Sequence, residues 1–444
     1  MGIEKDAAPV ALGVHNYSKE DKYVKPTDPQ ILERLEWFMD QKLGIMMHWA
    51  PYSQMGIVES WAMSDEDCKW SRKDVDWIFN PAEFKKEYWA LNKTFNPVRF
   101  LPEAWAKLAV ETGFKYLTFT TKHHDGFCMY DSKYSNYKVT APDCPFSKHK
   151  YADVCKVLFD AFRKQGLGIA AYFSKADWNE KSYWQHDRNS RRGPTYDPKD
   201  DPKLWERFVS YTHGQILELV ENYGRLDVLW FDAGWVCAAE GQDIKIEELI
   251  AKARKIQPWV LSADRTVGGT CEDFVTPEQT VPTEPMTIPF ESNVTMGTSF
   301  SFKYDDEYKS ARQLIHLLVD VVCKGGNLSL NVGPMPDGRL PKPAIERMRA
   351  IGEWIGARGE AIYGTRPQAP YRAGKFGFTQ KGGKKYAIYL RDSDCAIAVM
   401  PFDEKIVKIN ELTTGREVRF ERAENGYALT LPDGDPYADV FVIE

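Results

Sequence analysis

The clearest candidate for a reacting group is Asp232, which closes the apolar run "DVLWFDAGW" at residues 227–235. Burying a carboxylate is costly unless the group is hydrogen-bonded, paired or used in chemistry. Three interpretations are open: Asp232 caps the following turn, forms an ion pair with Arg265, or acts as a nucleophile or base. The neighbouring Trp230 and Trp235 would shield a rigid carboxylate at this point, which suits attack on an electrophilic carbon.

Glycoside hydrolysis is one such attack, and it needs a second carboxyl group to protonate the leaving oxygen. The segment "GTCEDFVTPEQTVPTEP" at residues 269–285 is rich in acids. Glu278 is favoured because Pro277 rigidifies the segment and because this position is where a sixth strand should end. The other acids in or just after the segment are Glu272, Asp273, Glu284 and Glu291.

The motif "KHHDGF" at residues 122–127 resembles a set of metal ligands. Adjacent residues on a strand point to opposite faces, so His123 and His124 could both bind a metal only where the strand has become a loop. The sequence contains neither H-x-H nor H-E-x-x-H. Imidazoles that hydrogen-bond a polyol are therefore favoured, structural capping is the other interpretation, and no metal or cofactor is predicted.

Short apolar runs alternate with amphipathic stretches between residues 43 and 333. Strands that are each followed by a helix predict a parallel sheet covered by helices. Eight such units favour a (β/α)8 TIM-like barrel, possibly irregular. The predicted strands are 43–50, 116–124, 167–174, 227–234, 260–265, 299–304 and 328–333, with a weaker eighth at 273–279; the predicted helices are 102–113, 152–166, 203–224, 245–258 and 311–326.

The pattern changes after a last helix and its exit at 346–367. Short β-rich runs separated by turns then predict an antiparallel β-sandwich. We therefore divide the chain into a barrel at 1–360 and a C-terminal sandwich at 361–444. The predicted strands of the second part are 386–392, 395–400, 407–412, 417–424, 427–431 and 439–444.

Polar residues close most of the predicted barrel strands. In a barrel of this kind the active site lies at the C-terminal ends of the strands, so these residues predict a polar pocket. They are His48, the 122–125 stretch, Tyr172, Ser174, Asp232, Asp264, Arg265 and Asn331.

Composition excludes several classes of function. The 444 residues carry a net charge of −6 with lysines and arginines spread throughout, so no basic surface for nucleic acid is indicated. No apolar stretch is long enough to predict a membrane span, and eight scattered cysteines form no C-x-x-C pair. The start of the chain lacks the apolar core of a signal peptide. The sequence thus leaves the compartment open, and an extracytoplasmic location is expected if this start is a trimmed mature N-terminus.

Several motifs, taken together and in order, resemble those of the α-L-fucosidases of glycoside hydrolase family 29. The resemblance covers most of residues 35–360, and "KHHDGF" and "LNVGPMPDG" are its most specific parts. The matching stretches are "LGIMMHWAPYS" (43–53), "ESW" (59–61), "KYLTFTTKHHDGFCMYDSKYSNY" (115–137), "LDVLWFDAGW" (226–235), "DFVTPE" (273–278) and "GGNLSLNVGPMPDGRLP" (325–341).

The resemblance implies a retaining, exo-acting enzyme that releases terminal α-L-fucose from fucosylated oligosaccharides or glycoconjugates without a cofactor. It implies that Asp232 is the nucleophile and Glu278 the general acid/base. Glu272, Asp273 and Glu291 remain alternatives for the second role. The implied fucose-binding residues are His48, Glu59, Trp61, His123, His124, Tyr172, Trp230, Arg265 and Phe300, with Ser60 inserted within the family's pattern.

Two other functions stay open from the sequence. A catalytically impaired fucose- or carbohydrate-binding protein on the same fold would have no carboxylate opposite Asp232, with Glu278 or a neighbour more than about 10 Å away. A metal-dependent hydrolase that uses the histidine pair would lose its activity on chelation.

Overall fold

A computed structural model gives the structure of the chain over most of its length. The first 16 residues, on which the expectation about the compartment depends, lie outside the described part. None of the described helices is both long and apolar enough to cross a bilayer. The described residues are 17–444 without 65, 73–74, 76–79, 187–190, 393–394 and 432–433.

In the described part of the chain, seven strands form one curled parallel sheet, and nearly all of their residues are buried. The strands are β1 (Leu43–Met47), β2 (Tyr116–Lys122), β3 (Gly168–Ser174), β4 (Val228–Asp232), β5 (Leu261–Asp264), β6 (Glu291–Thr295) and β7 (Asn327–Val332). Their order in the sheet is β5-β4-β3-β2-β1-β7-β6. Because all neighbouring strands are parallel, their C-terminal ends meet at one edge of the sheet.

Eight described helices accompany the sheet, and several begin at a side-chain cap. The Asp201 side chain accepts a hydrogen bond from the Leu204 amide, and Pro202 occupies the first helical position, where its missing N–H costs nothing. The helices are α1 (Pro29–Gln41), α2 (Pro81–Ala90), α3 (Pro102–Glu111), α4 (Val154–Lys164), α5 (Pro202–Asn222), α6 (Ile246–Ile256), α7 (Ala311–Cys323) and α8 (Lys342–Arg358).

The segment 273–279, where the weaker eighth strand was expected, lies between β5 and β6. It is not a regular strand, so that prediction is wrong in its strict form. The Asp273 amide donates to the Ser262 carbonyl of β5, and the Gln279 amide donates to the Asn293 carbonyl of β6, both at 2.8 Å. The barrel-like fold is therefore confirmed in an irregular form, with seven strands and a bridging segment.

The strand predicted at 299–304 is also wrong. Those residues form bends and turns, and the strand of this unit is β6. The sequence of β6, "ESNVT", is polar although every residue in it is buried. The buried Glu291 accepts hydrogen bonds from the Tyr116 hydroxyl and the Trp230 indole. Because these bonds satisfy its carboxyl group, this position of the strand can be polar and still be buried.

The C-terminal part consists of two antiparallel sheets that share a core. The five-stranded sheet has the order β12-β15-β10-β9-β8, and the three-stranded sheet β11-β14-β13, for the strands β8 (Arg366–Ala373), β9 (Phe376–Lys381), β10 (Lys384–Leu390), β11 (Ile397–Met400), β12 (Ile409–Glu411), β13 (Phe420–Ala423), β14 (Gly426–Thr430) and β15 (Ala438–Ile443). Phe378 and Leu429, one from each sheet, are fully buried in the shared core. All six strands expected here are present, and β8 and β9 were missed; the boundary at residue 360 stays a prediction.

Candidate active site

The polar residues predicted from the strand ends lie together at the C-terminal edge of the sheet. His48 follows β1, Tyr172 belongs to β3, and Asp232 ends β4. The rings of His48 and Tyr172 are 5.1 Å apart, and those of His123 and His124 are 4.1 Å apart. The structure thus brings residues from four strands into one pocket, as the parallel arrangement requires.

Asp232 accepts two hydrogen bonds and faces a third polar group. The Tyr172 hydroxyl donates to Oδ2 at 2.5 Å, and Arg265 Nη1 donates to Oδ1 at 3.1 Å. His124 Nε2 lies 3.6 Å from Oδ2. Burial raises the pKa of Asp232, but Arg265, His124 and Tyr172 outweigh burial and hold it well below its usual value. Asp232 is therefore ionised at neutral pH, as a nucleophile must be.

Arg265 joins the two predicted catalytic carboxylates. Its Nη1 binds Asp232, and its Nη2 donates to Glu278 Oε2. Burial lowers the pKa of the guanidinium, but the two carboxylates raise it by more, so the group stays charged. The ion pair between Asp232 and Arg265, one of the three interpretations of Asp232, is present. It does not exclude chemistry, because the same arginine also holds the second acid.

Each of these three charged residues directly precedes a residue with a left-handed backbone. Ala233, Thr266 and Gln279 have φ angles of +67°, +67° and +50°. Non-glycine residues with positive φ are uncommon and are concentrated at functional sites. Glu278 shares this feature with Asp232 and Arg265, and the feature distinguishes it from the other acids of its segment.

The alternatives to Glu278 have other partners. Glu272 accepts hydrogen bonds from Ser18 and the Gly268 amide. Asp273 forms an ion pair with Arg254 at 2.6 Å. Glu291 is bound to Tyr116 and Trp230, and Glu284 is exposed. These contacts account for Glu272, Asp273 and Glu291 as structural groups.

Glu59 is a buried acid whose protonation was not foreseen. The Ser301 amide donates to its Oε1 at 2.5 Å, and the Glu59 amide donates to Ser301 Oγ at 3.0 Å. Burial raises the pKa of Glu59 to about 8, and the negative charges of Glu278 and Asp232 add to the increase. At neutral pH Glu59 is therefore mostly a neutral acid that can donate a hydrogen bond.

The three histidines of the pocket are neutral and oriented. Burial lowers the pKa of His48 and of His124 to about 4 and that of His123 well below its usual value. Each Nδ1 has a fixed partner: Asn331 Oδ1 for His48 (2.8 Å), Ser60 Oγ for His123 (2.7 Å) and Ser174 Oγ for His124 (2.6 Å). This leaves each Nε2 available for another group.

The histidine pair meets the geometric condition for a metal. Both residues lie beyond the end of β2, and His123, His124 and Asp232 offer ligand atoms within 4.8 Å of one another. However, Asp232 already binds the guanidinium of Arg265, whose positive charge opposes a second cation at the same carboxylate. The donor set therefore fits a metal poorly.

Aromatic side chains wall the pocket. Trp61 lies 4.7 Å from the His124 ring, and Phe300 lies 4.9 Å from the His48 ring. Both are partly exposed. Trp230 is buried, stacks on Tyr172 with centroids 5.2 Å apart and lies beneath Arg265. The pocket thus combines neutral hydrogen-bonding imidazoles with apolar surfaces.

Sequence reasoning did not foresee the groups that orient the side chains of the pocket. Ser60, which binds His123, was noticed only as an insertion in the family's pattern, and Ser301, which binds Glu59, carries no signal of its own. Ser174 and Asn331 were noticed only as polar strand ends. The fully buried Lys122, next to His123 in sequence, forms an ion pair in which Nζ lies 2.8 Å from Asp177 Oδ2. Sequence reasoning did not predict this pair, and its one signal was that Lys122 begins the "KHHDGF" motif.

A glutamine at position 59 should flatten the pH dependence of stability. The folded-state pKa of about 8 lies above the usual 4.5, so the folded state binds the extra proton between these values. The contribution to stability is complete below pH 4.5 and is lost as pH rises towards 8. Between pH 5.5 and 7.5, this proton makes the unfolding free energy fall by about 1.4 kcal/mol for each unit that the pH rises. Glu59→Gln should remove that fall, as measured by urea denaturation at several pH values.

The matched control is Glu346→Gln, which removes a carboxylate paired with Lys342 on the surface of α8. It should leave the slope as in the unaltered chain. An identical slope in Glu59→Gln would contradict the assignment of a neutral, buried acid.

The chain matches known proteins over most of its length. A family model described as α-L-fucosidase matches residues 11–360. The tissue α-L-fucosidase of Homo sapiens is 26% identical over 439 residues, covering 90% of this chain and 86% of the human protein. The structure of α-L-fucosidase isoenzyme 1 from Paenibacillus thiaminolyticus superposes with a TM-score of 0.77 at 28% identity, covering 93% of this chain and 99% of the other. The Thermotoga maritima α-fucosidase in complex with fucose gives 0.75 at 27% identity, covering 95% and 100%. On the match of the family model, the chain belongs to the α-L-fucosidase family of glycoside hydrolases.

Proposed function

We propose that the protein is a retaining exo-α-L-fucosidase that releases terminal α-L-fucose from fucosylated glycans through a covalent fucosyl-enzyme. The observation that carries the proposal is the single guanidinium of Arg265 bonded to both Asp232 and Glu278. Retaining glycosidases have their two carboxyl groups roughly 5–5.5 Å apart, whereas inverting enzymes separate them by about 6.5–9.5 Å. Two carboxyl groups held by one arginine head support the shorter separation.

The reaction then has two displacements. In the first, a carboxylate oxygen of Asp232 bonds to the anomeric carbon while the bond to the glycosidic oxygen breaks and Glu278 protonates that oxygen. In the second, Glu278 takes a proton from water, whose oxygen displaces Asp232 and releases fucose. Two inversions at the same carbon give net retention.

The pocket has the groups that a 6-deoxy sugar requires. Its methyl group needs an apolar surface, which Trp61, Phe300 or Trp230 can supply. The ring hydroxyls need donors and acceptors, which the neutral imidazoles of His48, His123 and His124 can provide together with Arg265. We assign Glu59, Trp61 and Tyr172 to the same sugar-binding set, with Tyr172 also holding the nucleophile.

The alternative of a catalytically impaired binding protein has no support. It requires that no carboxylate lie near Asp232, yet Glu278 is bound to the arginine that also binds Asp232. The comparisons likewise name fucosidases rather than binding proteins.

The proposal is tested by hydrolysis of 4-nitrophenyl α-L-fucoside followed by proton NMR. We expect α-L-fucose as the first product, with the β-anomer appearing later by mutarotation. We also expect the rate to be unchanged after exhaustive treatment with EDTA, since every assigned step uses side chains. The β-anomer as first product would refute retention, no hydrolysis would refute the function, and loss of activity on chelation would favour the metal-dependent alternative.

A further inference from the structure

A second cavity of about 980 Å³ adjoins the pocket around Asp232. It is lined by residues 66–67, 191–199, 235 and 239–242. Trp235 belongs to both sites: it lines the cavity, and its ring lies 5.1 Å from that of His124, the histidine that faces Asp232. The cavity therefore begins one side chain, that of His124, away from Asp232.

The shared tryptophan is held in a fixed orientation. Its Nε1 donates to the Tyr183 hydroxyl and to the Arg192 carbonyl, both at 3.1 Å. The Arg192 guanidinium lies 5.2 Å from its ring centroid, and Trp61 packs at 5.8 Å. A partly exposed aromatic face fixed in this way suits contact with the C–H face of a sugar ring.

Contacts between separate segments of the chain build another part of the cavity wall. Arg191 Nε lies 2.5 Å from Glu66 Oε2, and the Arg192 amide donates to Asp67 Oδ2 at 3.2 Å. These contacts join segments 125 residues apart in sequence. This part of the wall is thus held by contacts between segments that are distant in sequence, and not by a single surface loop.

The charges of the lining indicate a neutral occupant. Four carboxylates face three cations there, and the pairs Glu66–Arg191 and Asp67–Arg192 neutralise each other. An anionic ligand would meet no excess of positive charge. A lipid chain would meet a mainly polar lining, because Trp235 and Tyr196 are the only aromatic side chains among the described lining residues.

We propose that this cavity is the binding site for the aglycone, and that it takes a neutral oligosaccharide of at least two sugar units. The inference rests on the proposed function, because it places the leaving group of that reaction. The volume of the cavity lies at the upper end of the range of roughly 300–1,000 Å³ that is typical of small-molecule sites. A volume of this size is larger than a single sugar ring requires. Binding energy from these remote sugars would then contribute to kcat/KM for the natural substrate.

Two filling variants from separate lining segments test the inference. A Cβ at Gly193 would meet only Gln242 Nε2 at 3.6 Å, an ordinary contact, so Gly193→Phe can be accommodated in the lining. Ala239→Phe, on the exposed turn at 238–240, adds a ring to the second segment. The control is Gly356→Phe on the exposed face of α8, where an added Cβ meets nothing within 4 Å.

The measured quantity is kcat/KM for a neutral fucosylated trisaccharide divided by kcat/KM for 4-nitrophenyl α-L-fucoside. Each filling variant that folds, as judged by circular dichroism, should lower this ratio by about tenfold or more, and Gly356→Phe should leave it unchanged. Wild-type protein that cleaves both substrates, together with unchanged ratios in the filling variants, would overturn the aglycone site alone. Wild-type protein that cleaves neither would overturn the proposed function itself. A sialylated counterpart cleaved faster than the neutral trisaccharide would overturn the assignment of a neutral ligand.

Discussion

Replacing Asp232 with alanine is expected to lower kcat for an aryl α-L-fucoside by about a thousandfold or more, which is about 4 kcal/mol of barrier. The variant lacks the oxygen that must bond to the anomeric carbon, and Glu278, the neighbouring carboxylate described in the pocket, is held by Arg265. Added azide should enter the space of the missing carboxylate and form β-L-fucosyl azide, the inverted product. Steady-state kinetics with and without azide, and NMR of the product, measure both effects.

Asp227→Asn is the matched control because Asp227 precedes the same strand at its other end. Asp227 binds Arg34 at 2.5 Å and the Ile169 amide at 2.8 Å, far from the pocket edge of the sheet. This variant should lose stability but keep kcat per folded molecule. Near-normal activity in Asp232→Ala, or an equal loss in both variants, would refute Asp232 as the nucleophile.

Replacing Glu278 with alanine should lower kcat/KM by about 10²–10⁴-fold for substrates with poor leaving groups, because these depend on protonation of the departing oxygen. A fucosyl fluoride or a dinitrophenyl fucoside needs no such proton and should lose far less in kcat/KM, which reports the first chemical step. The comparison across leaving groups separates a proton donor from a residue that only binds the sugar. Equal losses on both kinds of substrate would move the acid/base role away from Glu278.

Glu59→Gln supplies the companion measurement. Glu59 holds a proton at neutral pH, as its pKa of about 8 implies, so it is a second candidate for the proton donor. We expect Glu59→Gln to lower kcat/KM equally for substrates with poor and with good leaving groups, because the Glu59 carboxyl is fixed by Ser301 and is assigned to sugar binding. A steep dependence on the leaving group in Glu59→Gln, and none in Glu278→Ala, would exchange the two roles.

Much of the pocket was predictable because parallel strands deliver their C-terminal ends to one edge. Once the apolar runs were read as strands, the residues that close them had to lie near one another, whatever the exact number of strands. Asp232, Arg265 and His48 are placed by this rule. The same rule could not find β6, because four of its five buried residues are polar; Glu291, for example, obtains its hydrogen bonds from Tyr116 of β2 and Trp230 of β4.

The choice among the acids could not be made from spacing. Glu272 is bound to Ser18, 254 residues away, and Asp273 to Arg254 on a neighbouring helix. Such partners appear only once the chain is folded. The proton on Glu59 was equally hidden, because it results from burial and from the charges of residues more than 170 positions away in sequence.

The central claim is that Asp232 forms a covalent bond to fucose, and trapping that bond tests it most directly. A 2-deoxy-2-fluoro-α-L-fucosyl fluoride should inactivate the protein, since the ring fluorine slows both displacements while the fluoride leaving group keeps the first one fast enough for the intermediate to accumulate. Peptide mass spectrometry should then find one fluorofucosyl group, attached to Asp232. A label on any other carboxylate, or turnover without any covalent adduct, would contradict the account.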